Sequence, residues 1–215
     1  RLDHCGDHLP YYRGEGNRDM INLKGVRVGY ALTGSFCTFS NSIQAAKTLS
    51  EQGAVLTPIF SEHAATIDTR FGKAADHLAA WEQLCGNPAI CSIADAEPLG
   101  PKNMLDLLVV APCTANTMAK LALGITDTTV TMAVKSMLRN QKPIVLCLAT
   151  NDALRASAKN LGLLLNTKHY YFVPLGQDAP DKKPASLVAD FKKLPQTVAL
   201  ALEDTQIQPI LIPTS

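Results

Sequence analysis

Three polar residues follow the most apolar run of the sequence, and their side chains suit the binding of an anionic ligand. The run spans residues 107–111 and ends at Pro112, where we expect a strand to stop because proline has no N–H group to donate. Thr114, Asn116 and Thr117 then open a helical pattern. Their hydroxyl and amide groups would lie beside the free N–H groups of that helix's first turn. A capped helix start without any ligand explains these residues equally well.

Three other predicted strands end in similar residues. Residues 33–35 (Thr-Gly-Ser) follow the first strand, Ser61 follows the second, and residues 150–152 (Thr-Asn-Asp) follow a later one. Ligands of α/β proteins bind at the carboxyl ends of the strands. Gly34 permits close backbone approach, and the hydroxyl group of Ser35 can bond a phosphate at a helix N-terminus. A tight strand-to-helix turn accounts for the same residues almost as well.

Several common catalytic and nucleotide-binding motifs are missing. Gly29 and Gly34 are wrongly spaced for a GxGxxG fingerprint, and the sequence contains neither a P-loop nor a G-x-S-x-G elbow. Cys113 has no evident histidine partner, so we predict a buried, unreactive thiol. His63, His77 and His169 are predicted to be structural. These absences disfavour an ordinary NAD(P) dehydrogenase, a P-loop enzyme and a hydrolase with a nucleophile triad.

Hydrophobic periodicity predicts strands that alternate with helices. This alternation indicates an α/β fold in which a doubly wound parallel sheet is the middle of three layers. Asp127 or Thr128 is expected to cap the helix that passes through Val130. The predicted strands are residues 26–32, 54–60, 90–93, 107–111, 144–149 and 170–174, and the predicted helices include residues 40–52, 153–163, 185–194 and 197–203.

Length and composition limit the possible classes of protein. The 215 residues suit one domain, for which we predict residues 20–215, with residues 1–19 as a leader, tag remnant or disordered arm. The net charge of +1 gives no basic field for nucleic acid, and no apolar run approaches the roughly 20 residues that span a bilayer. Six scattered cysteines without CxxC pairs fit a reducing cytoplasm and argue against a structural zinc site. His4, Cys5 and His8 could bind a metal only adventitiously.

Two sets of motifs resemble a known family. Residues 112–117 (Pro-Cys-Thr-Ala-Asn-Thr), with Gly34, Ser35 and Asp127, resemble the homo-oligomeric flavin-containing cysteine decarboxylases, whose hallmark reads Pro-Ala-Ser-Ala-Asn-Thr. Residues 20 to about 212 are more closely similar to the B subunits of bacterial dipicolinate synthases. The segments that carry this second resemblance include residues 32–35, 69–72, 96–102, 150–154, 176–178, 183–184, 194–197 and 208–211.

The resemblance implies a flavodoxin-like or Rossmann-like flavoprotein fold in a cytoplasmic protein of sporulating bacteria. It also implies a partner, the A subunit of the synthase, which would bind NAD(P) and help to make dipicolinate, a small heterocyclic dicarboxylate, from a lysine-pathway intermediate. FMN would be held between subunits of a homo-oligomer, a trimer or larger. The implied cofactor-binding residues are Gly34, Ser35, Phe36, Ser61, Pro112, Thr114, Ala115, Asn116, Thr117 and Asn151, and the Asn116 amide would lie near the flavin or a substrate carboxylate.

The chain departs from the decarboxylase pattern at two points. The decarboxylases carry a Pro-x-Met-Asn motif after a late strand, whereas residues 148–151 (Leu-Ala-Thr-Asn) keep only the Asn. None of the five histidines corresponds to their catalytic histidine. Both departures argue against decarboxylation of a cysteine-type substrate.

A dicarboxylate substrate needs cationic or amide partners. Arg70 is the best candidate because its planar guanidinium can pair with a carboxylate through two hydrogen bonds. Lys102, Lys120 and Lys183 are weaker candidates, and a solvated surface charge is the simpler interpretation of each. For Arg70 the two interpretations are balanced.

Two alternatives to the synthase prediction stay open. One is an FMN-dependent decarboxylase or a prenyltransferase-type flavoprotein that is active alone. The other is a non-catalytic subunit that keeps the fold and stabilises its partner.

Overall fold

A mostly parallel sheet organises the chain. The computed structural model describes residues 21–213, so the predicted arm at residues 1–19 lies outside the described part. The strands are β1 (Arg27–Leu32), β2 (Val55–Phe60), β3 (Leu107–Cys113), β4 (Ile144–Thr150), β5 (Tyr170–Phe172), β6 (Leu175–Gly176) and β7 (Leu187–Ala189). The helices are α1 (Phe39–Glu51), α2 (Glu62–Thr66), α3 (Ala74–Cys85), α4 (Ile93–Ala96), α5 (Ala115–Leu123), α6 (Thr129–Arg139), α7 (Ala158–Leu165) and α8 (Leu194–Ala201).

The five strands β2-β1-β3-β4-β5 lie side by side in that order, and each pairs in parallel with its neighbour. This is the flavodoxin-like order, so the predicted fold is confirmed. Every residue of β3 is buried, as the continuous apolar run predicted. Helices cover the sheet: α1 contacts α3 and α8, while α5 contacts α6 and α7. The strand order reverses between β1 and β3, which opens a crevice at their carboxyl ends.

The prediction of a helix at residues 185–194 was wrong. Residues 187–189 form β7, which runs antiparallel to β4 and to β6. Leu187 and Ala189 are buried while Val188 is partly exposed, so the segment alternates as a strand does. Pairing with the end of β4 decides this structure, and three residues are too few to reveal a period in the sequence. The sheet is therefore mixed, and residues 170–174 do not contain its last strand.

Two other strand predictions were wrong in detail. Within residues 90–93, only Ile90 pairs with the sheet, through an isolated bridge to Ile59, and Ile93 begins α4 after the Ser92 cap. Pro112 does not end its strand, because β3 continues to Cys113. The register against β4 shifts between Val110 and Cys113. The missing N–H group of Pro112 thus falls where the ladder is already interrupted.

Local hydrogen bonds explain where two helices begin. Thr128, one of the two predicted caps, accepts a bond from the N–H of Thr131 and forms a capping box at the start of α6. The helix predicted from residue 153 begins only at Ala158. Asp152 accepts bonds from the hydroxyl groups of Thr150 and Ser157, which holds the intervening residues in turns.

None of the helices within residues 21–213 is long and apolar enough to cross a membrane.

Both outer edges of the parallel strands are covered. Beside β2, Ile90 donates its N–H to the carbonyl of Pro58 and accepts the N–H of Phe60. Beside β5, the side-chain amide of Gln206 takes the place of a strand. Its Oε1 accepts the N–H of Phe172 and its Nε2 donates to the carbonyl of the same residue, each at 2.7 Å.

Candidate functional site

An open cleft of about 410 Å³ lies in the crevice between β1 and β3. Five residues predicted to bind a cofactor line it: Gly34, Ser61, Thr114, Asn116 and Thr117. They come from three segments that are far apart in the sequence, and the parallel strands bring them to one edge. Ser61 and Thr117 are buried, whereas Asn116 is exposed to solvent.

The hydroxyl group of Thr33 joins two of these segments. Thr33 Oγ1 donates to the carbonyl oxygen of Pro112 at 2.7 Å and accepts the N–H of Thr114 at 3.1 Å. The side chain is only 1% exposed, so water does not compete for either bond. Thr33 therefore fixes the distance between the loop after β1 and the loop after β3.

Thr114 caps α5, as its position in the sequence predicted. Its Oγ1 accepts the N–H of Thr117 at 3.2 Å and donates to Thr117 Oγ1 at 3.0 Å. Among residues 21–213, no group accepts the N–H of Ala115 or of Asn116. The start of α5 thus presents two free N–H groups and the positive end of the helix dipole at the cleft, which is a favourable environment for an anion.

Charged groups also line the cleft: Glu62, which the sequence did not single out, Lys120, one of the weaker candidates for a carboxylate partner, and Asp127. Glu62, on α2, accepts hydrogen bonds from the N–H and the hydroxyl group of Thr129 at 2.9 and 3.0 Å. Lys120 pairs with Asp127 at 2.8 Å, and the lysine side chain is only 22% exposed. Nothing in the sequence indicated the contact between Glu62 and Thr129.

Five predicted site residues lie outside the cleft lining. Ser35 Oγ lies 3.9 Å from Cys37 Sγ, and Phe36 lines a neighbouring pocket. Pro112 is buried, while Ala115 is the first residue of α5. Asn151 is exposed just after β4.

Arg70, the predicted carboxylate partner, also lies outside the cleft. Its guanidinium carbon stacks 4.8 Å from the centre of the Phe71 ring. This contact can align the guanidinium without neutralising its charge.

The reactive groups of the region behave largely as predicted. Cys113 is fully buried, and burial raises the pKa of its thiol to about 12, so the thiol stays protonated and unreactive at neutral pH. His63 lines the cleft, which its predicted structural role did not anticipate.

The described residues contain no group of three or more His, Cys, Asp or Glu side chains that could hold a metal ion.

The cleft fits the phosphate end of a flavin nucleotide. A Cβ atom at Gly34 would contact only the Phe36 ring, at an ordinary 3.7 Å, and the backbone there is not left-handed. The fold itself therefore does not require glycine at this position. A ligand that approaches the backbone closely would require it, because any other residue adds a side chain there. The free N–H groups of α5 and the hydroxyl groups of Ser61 and Thr117, which only accept hydrogen bonds within the described residues, supply donors suited to phosphate oxygens.

Comparison with known proteins agrees with this architecture. The Flavoprotein family model matches residues 17–193. The B subunit of dipicolinate synthase from Bacillus subtilis (strain 168) is 47% identical over 193 residues, which cover 90% of this chain and 96% of that protein. The crystal structure of the dipicolinate synthase B subunit from Bacillus halodurans C superimposes with a TM-score of 0.82 at 43% identity, covering 89% of this chain and 98% of the other.

More distant structures share only the fold. An FMN-dependent cysteine decarboxylase, SpaF, superimposes with a TM-score of 0.60 at 20% identity, over 84% of this chain and 97% of the other. The two dipicolinate synthase B subunits, by contrast, match at 43–47% identity over about nine tenths of this chain and nearly all of their own length. The chain therefore belongs to the Flavoprotein family and, within it, to the family of dipicolinate synthase B subunits.

Proposed function

We propose that this chain acts with an A subunit to oxidise a dihydrodipicolinate-level intermediate of the lysine pathway to dipicolinate in the cytoplasm of sporulating cells. The observation that carries the proposal is the 47% identity to a dipicolinate synthase B subunit over nearly the whole of both chains. An identity of this size over a continuous fold supports a shared role, which a likeness of fold alone does not. The chain would thus be one subunit of an oxidoreductase.

The cleft between β1 and β3 would hold FMN, which supplies redox chemistry that side chains lack. Gly34 would let the backbone approach the phosphate, and the hydroxyl groups of Ser61 and Thr117 would donate hydrogen bonds to its oxygens. The free N–H groups at the start of α5 would stabilise its charge. NAD(P) would bind to the partner, because this chain lacks a GxGxxG loop. A homo-oligomer of three or more copies would complete the flavin site.

Asn116 would contact the reacting groups. It is exposed at the mouth of the cleft, one turn from Lys120, so its amide can reach a flavin or a substrate carboxylate. Arg70 would pair with a carboxylate of the substrate from outside the cleft. These two residues orient and polarise the substrate and leave electron transfer to the cofactor.

Reconstitution with the partner tests this proposal. Each of the two proteins by itself and an equimolar mixture would be assayed for dipicolinate formation with NAD(P) and FMN, each added or omitted. We expect turnover only in the mixture, together with a perturbed flavin absorption spectrum when this chain is titrated with FMN. Turnover at the same rate by the A subunit without this chain would contradict the proposal.

A structural role is the second candidate, and the charged groups of the cleft favour it. Glu62 is bonded to Thr129, and Lys120 is paired with Asp127, so each already holds another part of this chain. Such bonds stabilise loops within this chain. A colourless chain that raises the melting temperature of the A subunit without changing its kcat would establish this role.

A further inference from the structure

A second pocket, of about 180 Å³, lies beside the cleft and is walled by aromatic side chains. Its lining residues are Phe36, Cys37, Phe39, Ser40, Ile43, Phe71, His77 and Trp81. The Phe36 ring separates it from the cleft, because the same ring lies closest to Gly34. We name this space the aromatic pocket.

The inner wall of the aromatic pocket is rigid. Phe39 is 3% exposed and Trp81 only 1% exposed. The Phe39 ring packs against Phe36 at 5.2 Å and against the edge of His77 at 5.1 Å, and Trp81 packs against Tyr30 at 4.8 Å. These distances are typical of favourable aromatic pairs, so the wall is preorganised before any ligand enters.

The outer wall is a tight turn that carries a cation. Thr69 and Gly72 exchange two backbone hydrogen bonds, at 3.0 and 3.1 Å, which places Arg70 and Phe71 at the tip. Phe71 lines the pocket although it is 44% exposed, and the guanidinium of Arg70 stacks over its ring. Among residues 21–213, no carboxylate pairs with Arg70.

Close packing fixes the turn in place. A Cβ atom at Gly72 would lie 2.7 Å from His77 Nε2, and the φ angle of Gly72 is +137°. Only glycine therefore lets the turn approach α3 this closely. The backbone of the turn that carries Arg70 and Phe71 is consequently held beside the pocket.

We infer that the aromatic pocket binds the planar ring of an aromatic or heteroaromatic acid, and that Arg70 pairs with the acid's carboxylate. The volume suits one six-membered ring, since a cavity of about 150 Å³ accommodates benzene. Aromatic walls favour a flat π-system, and an unpaired guanidinium at the rim favours an anion. The identification of the acid with the synthase's own substrate or product rests on the proposed function.

The three fused rings of a flavin are the other possible source of a planar ligand. They need more room than one six-membered ring, and the anionic phosphate of FMN would be drawn to the free N–H groups of α5, on the far side of Phe36. The single-ring acid is therefore the better occupant.

The only tryptophan of the chain, Trp81, reports directly on the pocket. We would titrate the isolated chain with pyridine-2,6-dicarboxylate and follow Trp81 fluorescence, with pyridine and FMN as separate titrants. We expect a saturable change with the dicarboxylate and a much weaker response to pyridine. Arg70→Ala and Phe71→Leu should each raise the Kd about tenfold or more. Arg139→Ala, at the far end of α6, is the matched control and should leave the Kd unchanged.

The inference is overturned by a Trp81 signal that responds to FMN alone, by a non-saturable response, or by equal Kd values for the wild type and Arg70→Ala. Because Arg70 and Phe71 are exposed, circular dichroism should show both variants folded. Binding by the isolated chain needs neither the partner nor turnover. Dicarboxylate binding without turnover in the mixture of both subunits would contradict the proposed synthase activity alone. Turnover with an unchanged KM in Arg70→Ala would contradict the role of Arg70 and the aromatic pocket, and would leave the synthase activity standing.

Discussion

Glu62 fixes the start of α6 from across the cleft, because one carboxylate oxygen accepts both the N–H and the hydroxyl group of Thr129. Thr129 is fully buried, so its N–H group has no access to water if the carboxylate is removed. We expect Glu62→Ala to lower the free energy of unfolding by about 1–2 kcal/mol in urea denaturation. Glu51→Ala, an exposed change on α1, should stay within about 0.5 kcal/mol of the wild type. Equal losses in the two variants would contradict a role for the bond.

Gly34→Ala should separate cofactor binding from folding. The added Cβ has ordinary room within the chain, so stability should be unchanged or rise by up to about 1 kcal/mol. The same methyl group would occupy the space that a phosphate needs, and we expect FMN affinity by calorimetry to fall about tenfold or more.

Gly29→Ala provides the comparison, because its Cβ would lie 2.6 Å from Leu105 Cδ1 and 2.7 Å from Leu108 Cδ1. Overpacking of this kind typically destabilises by about 1–3 kcal/mol. Unchanged FMN binding in Gly34→Ala would show that no ligand approaches this backbone.

Asn116→Ala tests the exposed amide of the cleft. The side chain makes no hydrogen bond to residues 21–213, so the melting temperature should hardly change. Turnover of the reconstituted enzyme should fall, because an amide that orients a flavin or a carboxylate is lost. Asn116→Asp, which keeps the shape but repels an anion, should be at least as impaired. Full activity in both variants would remove Asn116 from the site.

Asp106 should make the stability of the chain depend on pH in acid. Hydrogen bonds from the Arg27 side chain hold the pKa of Asp106 below its ordinary value. The stabilisation is therefore complete above the unfolded pKa of about 3.9 and is lost as the pH falls through the lower folded pKa. Asp106→Asn should differ most from the wild type near pH 7, and the difference should shrink below about pH 4.

Asp181→Asn, at an exposed loop position, is the control for this series and should follow the wild type at every pH. Denaturant titrations between pH 2 and 7 would measure all three proteins. A constant difference between Asp106→Asn and the wild type across that range would rule out the pKa shift as its cause.

Local patterns were enough to predict the parallel part of the fold. The apolar runs that became β3 and β4 are nearly uniform, and the cap at Thr114 lies where the hydroxyl residue follows the strand. Five of the ten predicted cofactor-binding residues line one cleft for the same reason, since the strand ends alone determine where they lie. Their binding of FMN stays a prediction.

Features that depend on distant contacts were not predictable. The bond between Glu62 and Thr129 joins residues 67 positions apart, and β7 exists because β4 offers an unpaired edge at Ala149 and Thr150. The end of β3 was wrongly predicted because the register shift between Val110 and Cys113 removes the need for an N–H group at Pro112. In each case the local structure depends on a residue that is distant in the sequence. The segment itself therefore carries no periodic pattern from which the structure could be predicted.

The side-chain amide of Gln206 and the bridge at Ile90 have a consequence for self-association. Exposed edge strands readily pair with a second molecule, which leads to open-ended aggregation. Here the backbone groups of Phe172 on one side and of Pro58 and Phe60 on the other are already engaged. Edge-to-edge strand pairing between copies is therefore disfavoured at these residues, which leaves helix and loop surfaces for any contact between copies.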